Sequence, residues 1–460
     1  MAASASQPKL ARSLGFVDLW SIGIGALIGG GIFTVIGPAV AEAGPALFVA
    51  FLVAGGIALL SSMSYAELAS IWPYEGASYA YAKYALRPIS KDLSQLTALM
   101  CAGLYFLSFA FAAGAVNLSF AGYFTYLFPN ISPIVVAPIV SILITILLLI
   151  GMKVAGKINT FFSLVQVVAL FAIAIIAIAH MPFGPFTYPE FMPNGWSGIF
   201  AAAALIAFGQ MQVEAVLTLG EEAKNPRRNL PLAQISALVT VVILYTITGY
   251  GAVAVADPAD LAASSAPLSF AIENVLPIGG TILITIAALT ATGTSTIGCI
   301  LGSSRMLFAA ARENAVPKVF GRVNQKTQLP ANAILFTGIL ALLTTLLSVF
   351  GFSAAIGIAV GAAVFANWLM MALINVLVIV VRIRQPELQR QFRFPLNIKN
   401  IPVLAIVATV GAIGILFYVD TIPLLIGISW VVLIVLWYYL YSKKRWQFHD
   451  SEEEEKHEHI

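Results

Sequence analysis

The chain has 460 residues, of which 60% are hydrophobic and 10% are charged, with a formal net charge of +3 at pH 7. Soluble globular domains average about 25% charged residues, so this composition excludes a chain that is mainly soluble. Crossing a bilayer takes about 20 apolar residues in a helix, and such stretches recur from Phe16 to Tyr441. The sequence therefore predicts an all-α integral membrane protein embedded in a lipid bilayer.

Apolar stretches of spanning length predict twelve transmembrane helices. Their predicted bounds are 16–41, 45–70, 94–127, 133–151, 158–179, 196–220, 230–255, 279–310, 332–350, 355–381, 401–418 and 421–441. The loops between them are short. The chain therefore has little room for any domain outside the membrane.

The basic residues support this count, because Lys and Arg accumulate in short loops on the cytoplasmic side. All of them lie before the first span, or at or after the end of an even-numbered one, at positions 9–12, 83–91, 153–157, 224–228, 305–326, 382–399 and 443–456. The other loops contain acidic residues and no Lys or Arg. We therefore predict a multi-pass protein of the plasma membrane with a cytoplasmic N-terminus (1–15), a cytoplasmic loop (382–400) and a cytoplasmic acidic tail (442–460).

The first span contains three consecutive glycines, Gly29, Gly30 and Gly31, between Ile28 and Ile32. Each glycine costs about 1 kcal/mol of helix stability relative to alanine. We predict that the helix unwinds at this triplet. Close packing of two helices is the alternative interpretation, since small residues let membrane helices approach one another.

The sixth span is interrupted by polar residues, since Gln210, Gln212 and Glu214 fall near the bilayer centre. Polar groups at that depth need a partner or a cavity. Unusual segments in the first and sixth spans are what an inverted repeat of five plus five helices predicts, with a substrate site at the repeat interface. Amides at a half-helix N-terminus attract a carboxylate, and unpaired carbonyls attract an ammonium. A zwitterionic amino acid offers both groups.

Several other residues have structural interpretations. Cys101 and Cys299 fall inside apolar spans, which predicts buried free thiols. Glu67 and Asp18 lie near the ends of their spans and are interpreted as interfacial, and His180 is interpreted as a histidine of a solvated loop.

Four motifs recur in a recognisable order. They are GGGIF at 29–33 with Gly23 and Gly25 before it, PYEGASYAY at 73–81, Glu214 followed by EEAKNPRRNLP at 221–231, and SRMLFAAAR at 304–312 running into Val316-Pro317. In this order and spacing the chain resembles the amino acid–polyamine–organocation (APC) superfamily of permeases from end to end.

This resemblance implies a LeuT-like fold and alternating access around one central site. Residues 16–381 would form a ten-helix transport core of two inverted repeats, about 16–179 and 196–381, followed by two further helices over 401–441. The glycine triplet would present amides to the substrate carboxylate, carbonyls around Phe208 and Met211 would receive the amino group, and Phe208 would be an aromatic gate. The implied substrate-binding residues are Ile28, Gly29, Gly30, Gly31, Ile32, Phe208, Gln210, Met211 and Gln212.

The chain departs from the family at two positions. Several proton-coupled relatives have a lysine in the fifth span, and aligning on Gly156-Lys157 places Gln166 there. A glutamine cannot take up a proton near neutral pH. Gln212 stands where the family often has glycine, which predicts a smaller or differently specific pocket.

Glu214 is the predicted coupling residue, with Gln166 at the position of the missing lysine. Burial disfavours a charged carboxylate and a nearby cation favours it, so Glu214 is suited to bind a proton in one state and release it in another. The same glutamate in relatives that exchange cationic amino acids or diamines hints at a basic substrate. The predicted function is thus proton-coupled amino acid symport or exchange.

Other functions are open to the same sequence. Sodium coupling is one, with hydroxyl oxygens from Thr292, Thr294 and Ser295 as ligands, and without a coupling ion the protein would be an exchanger or uniporter. A channel would also use unwound backbone, but no ring of filter residues is evident. A membrane enzyme would need a metal or nucleophile site at mid-depth, which the positions of the histidines do not allow. No cofactor, resident metal or nucleic-acid partner is predicted.

Overall fold

The computed structural model describes residues 14–73, 76–150, 166–172, 174–175, 178–179, 184–219, 223–277, 279–324 and 329–446. Several residues used in the sequence analysis lie outside this part of the chain: Lys153, Gly156, Lys157, His180, Glu221 and Glu222. Half of the predicted fifth span and most of the acidic tail also lie outside it.

The described chain is mostly helical. Its α-helices are α1 (Phe16–Ile28), α2 (Gly31–Ala43), α3 (Leu47–Ile71), α4 (Ser78–Leu86), α5 (Lys91–Leu127), α6 (Pro133–Ile150), α7 (Gly195–Ile206), α8 (Pro226–Val255), α9 (Pro258–Ala263), α10 (Pro267–Glu273), α11 (Gly279–Arg312), α12 (Ala331–Leu346), α13 (Phe352–Arg384), α14 (Val403–Leu416), α15 (Thr421–Trp437) and α16 (Lys443–Arg445). Residues 166–172 are also helical.

Shorter elements connect these helices. The 3-10 helices are Gly44–Ala46, Pro185–Thr187, Ala207–Glu214, Leu217–Leu219, Lys318–Gly321 and Leu347–Phe350. A π-helical turn, Tyr438–Ser442, joins α15 to α16. Two short strands, β1 (Asn397–Ile398) and β2 (Ile401–Pro402), pair in antiparallel fashion.

Eight helical segments of the described chain are long and apolar enough to cross a membrane. They are Gly31–Ile71, Lys91–Leu127, Pro133–Ile150, Pro226–Val255, Gly279–Arg312, Ala331–Phe350, Phe352–Arg384 and Thr421–Arg445. The helices Phe16–Ile28 and Val403–Leu416 are apolar but shorter. The outer face of α6 exposes Leu143, Ile146 and Leu147, which is a lipid-facing pattern rather than a water-facing one.

Helix packing brings the two halves of the chain together in pairs. The most extensive contact is between α5 and α11, and α3 packs along α8 in the same way. Further pairs are α2 with α7 and α6 with α12, and α13 also packs against α5. The helices α14 and α15 lie outside this arrangement and contact it mainly through α13.

One buried ion pair joins α13 to α3. Glu67 is 1% exposed, and Arg382 donates to both of its carboxylate oxygens, each at 2.6 Å. The Phe394 amide donates to the same carboxylate at 2.8 Å, and Arg390 lies 3.3 Å from it. Glu67, which the sequence predicts to be interfacial, is therefore buried within the protein, and an arginine 315 residues away pairs with its charge. Asp18 instead accepts from the Gly15 amide at the start of α1.

Replacing one member of this pair leaves the other charge buried without a partner. Breaking such a pair typically costs about 3–5 kcal/mol, so we expect Arg382→Ala to lower the midpoint of thermal unfolding of the detergent-purified protein markedly. Lys443→Ala, which removes an exposed partner of Asp92, is the matched control and should leave the midpoint unchanged. Equal midpoints for the two variants would contradict a structural role for the Glu67 cluster.

Candidate functional site

The helix of the first span is broken at the glycine triplet, as the sequence predicts. The helix α1 ends at Ile28 and α2 begins at Gly31, and Gly29 between them has φ −23° and ψ −155°. A break inside an apolar span leaves backbone amides and carbonyls without their helical partners. These groups need other partners, because lipid supplies none.

Side chains, two of them from other helices, provide partners for some of these groups. The Gly30 amide donates to Ser295 Oγ of α11 at 2.7 Å. The Tyr245 hydroxyl of α8 donates to the Leu27 carbonyl at 2.9 Å, and Thr34 Oγ1 donates to the Gly30 carbonyl at 2.8 Å. The break is thus a built feature, held by two helices of the second half of the chain.

The sixth span is also broken. The helix α7 ends at Ile206 and continues as the 3-10 helix Ala207–Glu214, in which Gln212 has φ −87° and ψ 22°. The Trp368 indole of α13 donates to the Ala204 carbonyl at 3.2 Å. This carbonyl, which lies just before the change of helix type, therefore has a partner. The first and sixth spans are therefore both interrupted within the bundle.

The two breaks touch each other. A Cβ atom added to Gly31 would lie 2.6 Å from the Gly209 Cα, closer than real contacts allow. The glycine triplet therefore agrees with both interpretations of the sequence. It breaks the helix, and it also lets the backbone of the sixth span approach closely.

A cavity of about 20 Å³ lies at this junction, which is room for about one water molecule. It is lined by Ala26, Leu27, Gly29, Gly31, Phe109, Ala112, Val116, Phe208, Gly209, Met211, Gln212, Ser295 and Cys299. An amino acid is larger, so the bundle has to open before a substrate of that size enters. The lining contains no acidic or basic side chain.

The predicted substrate-binding residues divide into two groups. Five of them, Gly29, Gly31, Phe208, Met211 and Gln212, line the cavity. The other four, Ile28, Gly30, Ile32 and Gln210, are buried beside it but are not part of its lining. Both amide atoms of Gln210 lack a hydrogen-bond partner in the described structure.

Sequence reasoning missed the opposite wall of the cavity. Phe109, Ala112 and Val116 come from α5 and Cys299 comes from α11. They are small or apolar residues in apolar helices, so no local signal distinguishes them from lipid-facing or core positions.

The hydroxyls considered as sodium ligands are mostly bonded to their own helix. Thr292 Oγ1 donates to the Ala288 carbonyl at 2.7 Å, and Thr294 Oγ1 donates to the Thr290 carbonyl at 2.9 Å. Gln166 donates its side-chain amide to Thr294 Oγ1 at 3.2 Å. Gln166 thus places a neutral amide beside Thr294.

Glu214 lies close to the cavity but does not line it. Its side chain is 1% exposed, and its Oε2 accepts a short hydrogen bond from the Ser78 hydroxyl and a second, of 3.2 Å, from the Ser78 amide. The other carboxylate oxygen has no hydrogen-bond partner among the described residues, and neither do the nearby hydroxyls of Tyr65 and Tyr81. No ion pair to Glu214 is present in the described chain.

The backbone that leads to Ser78 is strained. Ala77 precedes α4 with φ 37°, in a region that residues with a Cβ seldom adopt. Such a conformation costs on the order of 1–3 kcal/mol and persists only where the surroundings impose it. The contact between Glu214 and Ser78 is one such constraint.

Comparison with known proteins places these features in one family. A family model described as "Amino acid permease" matches residues 14–440. The branched-chain amino acid permease BcaP of Bacillus subtilis (strain 168) is 30% identical over 465 residues, which covers 96% of each chain. The methylthioribose transporter of the same organism is 27% identical, again over 96% of each chain. Cationic amino acid transporter 4, vacuolar, of Arabidopsis thaliana is 30% identical over 72% of this chain and 58% of its own length.

The contact between the two breaks leaves no room for a methyl group. Overpacking typically costs about 1–3 kcal/mol, so we expect Gly31→Ala to lower the midpoint of thermal unfolding. In Gly56→Ala, the matched control in α3, the added methyl group meets no atom within 4 Å, and the midpoint should hold or rise. An unchanged midpoint in Gly31→Ala would mean that the two breaks are not in contact.

Proposed function

Because the chain belongs to the amino acid permease family, we propose that it is a secondary transporter that moves amino acids across the plasma membrane by alternating access. The observation that carries this proposal is the cavity where two broken helices meet. Exposed amides and carbonyls at one point inside a membrane bundle suit the two charges of a zwitterion. A channel would need a continuous pore, whereas this cavity has room for about one water molecule.

We propose the LeuT-like architecture for the chain, with twelve spans, two inverted repeats (16–179 and 196–381) and two further helices over 401–441. The pairing of α2 with α7, α3 with α8, α5 with α11 and α6 with α12 supports it. In an inverted repeat of five helices these are the corresponding members of the two halves. In this proposal both termini, the 382–400 loop and the acidic tail are cytoplasmic.

The substrate backbone would be held by the two breaks. The amides at the N-terminus of α2, in the stretch from Ile28 to Ile32, would receive the carboxylate. The carbonyls between Phe208 and Met211 would receive the ammonium, and Phe208 would cover the substrate as an aromatic gate. Gln210, which is buried beside them without a partner, would gain one when the bundle rearranges.

For the substrate side chain we propose a neutral, apolar group. Phe109, Ala112, Val116 and Met211 offer an apolar surface, and the polar lining side chains are the neutral Gln212 and Ser295. Burying an ammonium or guanidinium there without a counter-charge would cost several kcal/mol. The sequence hint of a cationic amino acid or diamine rested on Glu214, whose carboxylate is engaged by Ser78 outside the cavity lining.

We propose that a proton drives transport through Glu214, with Gln166 as a neutral substitute for the lysine of other permeases. A buried carboxyl without a cationic partner favours proton binding. One charge moved across 100 mV is worth about 2.3 kcal/mol, enough for roughly a fortyfold gradient of a neutral substrate. Sodium coupling through Thr292, Thr294 and Ser295 is the alternative. Separate proton and sodium gradients distinguish it from proton coupling.

Uptake into liposomes containing the purified protein tests the carrier proposal. We expect saturable uptake of labelled leucine, isoleucine, valine or methionine, and none of arginine, lysine or putrescine. Uptake of the cationic compounds alone would contradict the proposed side-chain class and leave the carrier proposal intact. Absence of uptake, exchange and competition for every amino acid would contradict the carrier proposal itself.

Separate proton and sodium gradients in the same liposomes test the coupling. We expect a proton gradient to drive uptake by the parent and not by Glu214→Gln, while the variant retains exchange of internal for external substrate. Glu190→Gln, in an exposed position, is the control and should behave like the parent. Uptake driven by sodium in both the parent and Glu214→Gln would support the sodium alternative.

A further inference from the structure

The segment between α13 and α14 exposes large apolar side chains. Its two strands, β1 and β2, form a hairpin over 395–402, in which Ile398 is the register partner of Ile401. Leu396 is 69% exposed, Ile398 is 67% exposed and Ile401 is 39% exposed. We call these three residues the hairpin patch. Covering such a patch with apolar material is favourable, because it removes apolar surface from water.

The hairpin is tied to the helices on both sides of it. Arg382 of α13, besides its ion pair with α3, donates to Asn397 Oδ1 at 2.6 Å. Asn397 in turn donates to the Phe394 carbonyl at 2.7 Å. At the other end, the Val403 amide of α14 donates to the Leu396 carbonyl at 3.2 Å. The hairpin patch therefore has a defined position at the start of α14.

The helix that follows the hairpin is short for a membrane span. It has 14 residues, which makes it about 21 Å long, whereas the hydrocarbon core of a bilayer is about 30 Å thick. Its exposed side chains include Ile406, Val407 and Val410, a lipid-facing pattern. If α14 is a span, as in the proposed architecture, neighbouring residues must extend its apolar surface. The hairpin patch directly precedes α14 and provides such an extension.

The charges beside the hairpin patch are mostly positive. The segment 385–402 contains one acidic residue, Glu387, and three basic residues, Arg390, Arg393 and Lys399. Arg390 lies 3.3 Å from the buried Glu67 carboxylate, whereas Arg393 and Lys399 are exposed. Two exposed cations next to an apolar patch suit the boundary of a bilayer, where lipid phosphates lie beside acyl chains.

We propose that the β1–β2 hairpin is a binding site for anionic phospholipids. Leu396, Ile398 and Ile401 contact the acyl chains just below the headgroups, and Arg393 and Lys399 bind the phosphates of the same lipids. A water-soluble partner would need the patch to lie clear of the bilayer, and the shortness of α14 argues against that position. The site uses residues that neither substrate binding nor coupling employs, but it rests on the proposed architecture for the position of α14.

Quenching of a fluorophore by lipids tests this proposal on the full chain in vesicles. The two native cysteines, Cys101 and Cys299, are replaced by alanine, and a polarity-sensitive fluorophore is attached through Ile398→Cys. The same label at Val410→Cys reports on the lipid-facing side of α14, and at Glu387→Cys it reports on an exposed position away from the patch. Vesicles mix phosphatidylcholine with phosphatidylglycerol, and either lipid carries the bromine atoms that quench.

We expect lipid to quench the label at position 398, as at position 410, and to quench the label at position 387 much less. Comparing the two brominated lipids at position 398 gives their relative affinity. Phosphatidylglycerol should be preferred by about fivefold for each of the two basic side chains, and less at high salt. The variant with both Arg393→Gln and Lys399→Gln should show almost no preference. Glu387→Gln, which also removes one exposed charge, is the matched control and should retain the preference.

Three results separate the proposal from the architecture on which it rests. Quenching at position 410 without quenching at position 398 would overturn the hairpin site and leave the span assignment of α14 intact. Equal affinities of the two lipids at position 398 would overturn the binding of anionic headgroups. Absence of quenching at position 410 would contradict the span assignment and the hairpin proposal with it. Because the substituted hairpin residues are exposed, the variants should keep the thermal unfolding midpoint of the cysteine-free parent.

Discussion

The structure depends on one constraint, which is that every backbone polar group inside a bilayer must find a partner within the protein. Two spans are broken at mid-bundle, and each break leaves amides and carbonyls without helical partners. Ser295 and Tyr245 pair with backbone groups at the first break, and Trp368 pairs with a carbonyl near the second. Glycines of both breaks line the cavity, and in our proposal a zwitterionic substrate pairs with the remaining backbone groups there.

The same constraint separates substrate recognition from coupling. The cavity lining has no ionised side chain, so in our account a bound amino acid meets backbone dipoles and apolar walls. Glu214 lies next to the cavity, and its carboxylate is engaged by the start of α4. In the proposed coupling, a proton taken up by Glu214 would not compete for the groups that bind the substrate. Substrate recognition and coupling would then use different atoms of the same broken span.

Sequence alone located both breaks, because a glycine triplet and a polar run are local departures from an apolar helix. Phe208, Met211 and Gln212, which the family resemblance implies as substrate-binding residues, line the cavity, and their binding role stays a prediction. Sequence did not predict the contacts between distant parts of the chain. The position of Glu67 near the end of a span did not indicate that Arg382 is its partner. The cavity wall formed by α5 consists of residues that are typical of any buried membrane helix. Likewise, the partner of Glu214 became visible only once the fold brought α4 beside the sixth span.

The central claim is that the two breaks bind the charged backbone of an amino acid. Competition against uptake of labelled leucine, with leucinamide and 4-methylpentanoate as competitors beside unlabelled leucine, tests it most directly. The first compound lacks the carboxylate and the second lacks the ammonium, whereas all three have the same side chain. The account predicts that leucine alone competes strongly. Equal competition by either analogue would contradict it, because binding would then depend on the side chain and not on the backbone groups at the breaks.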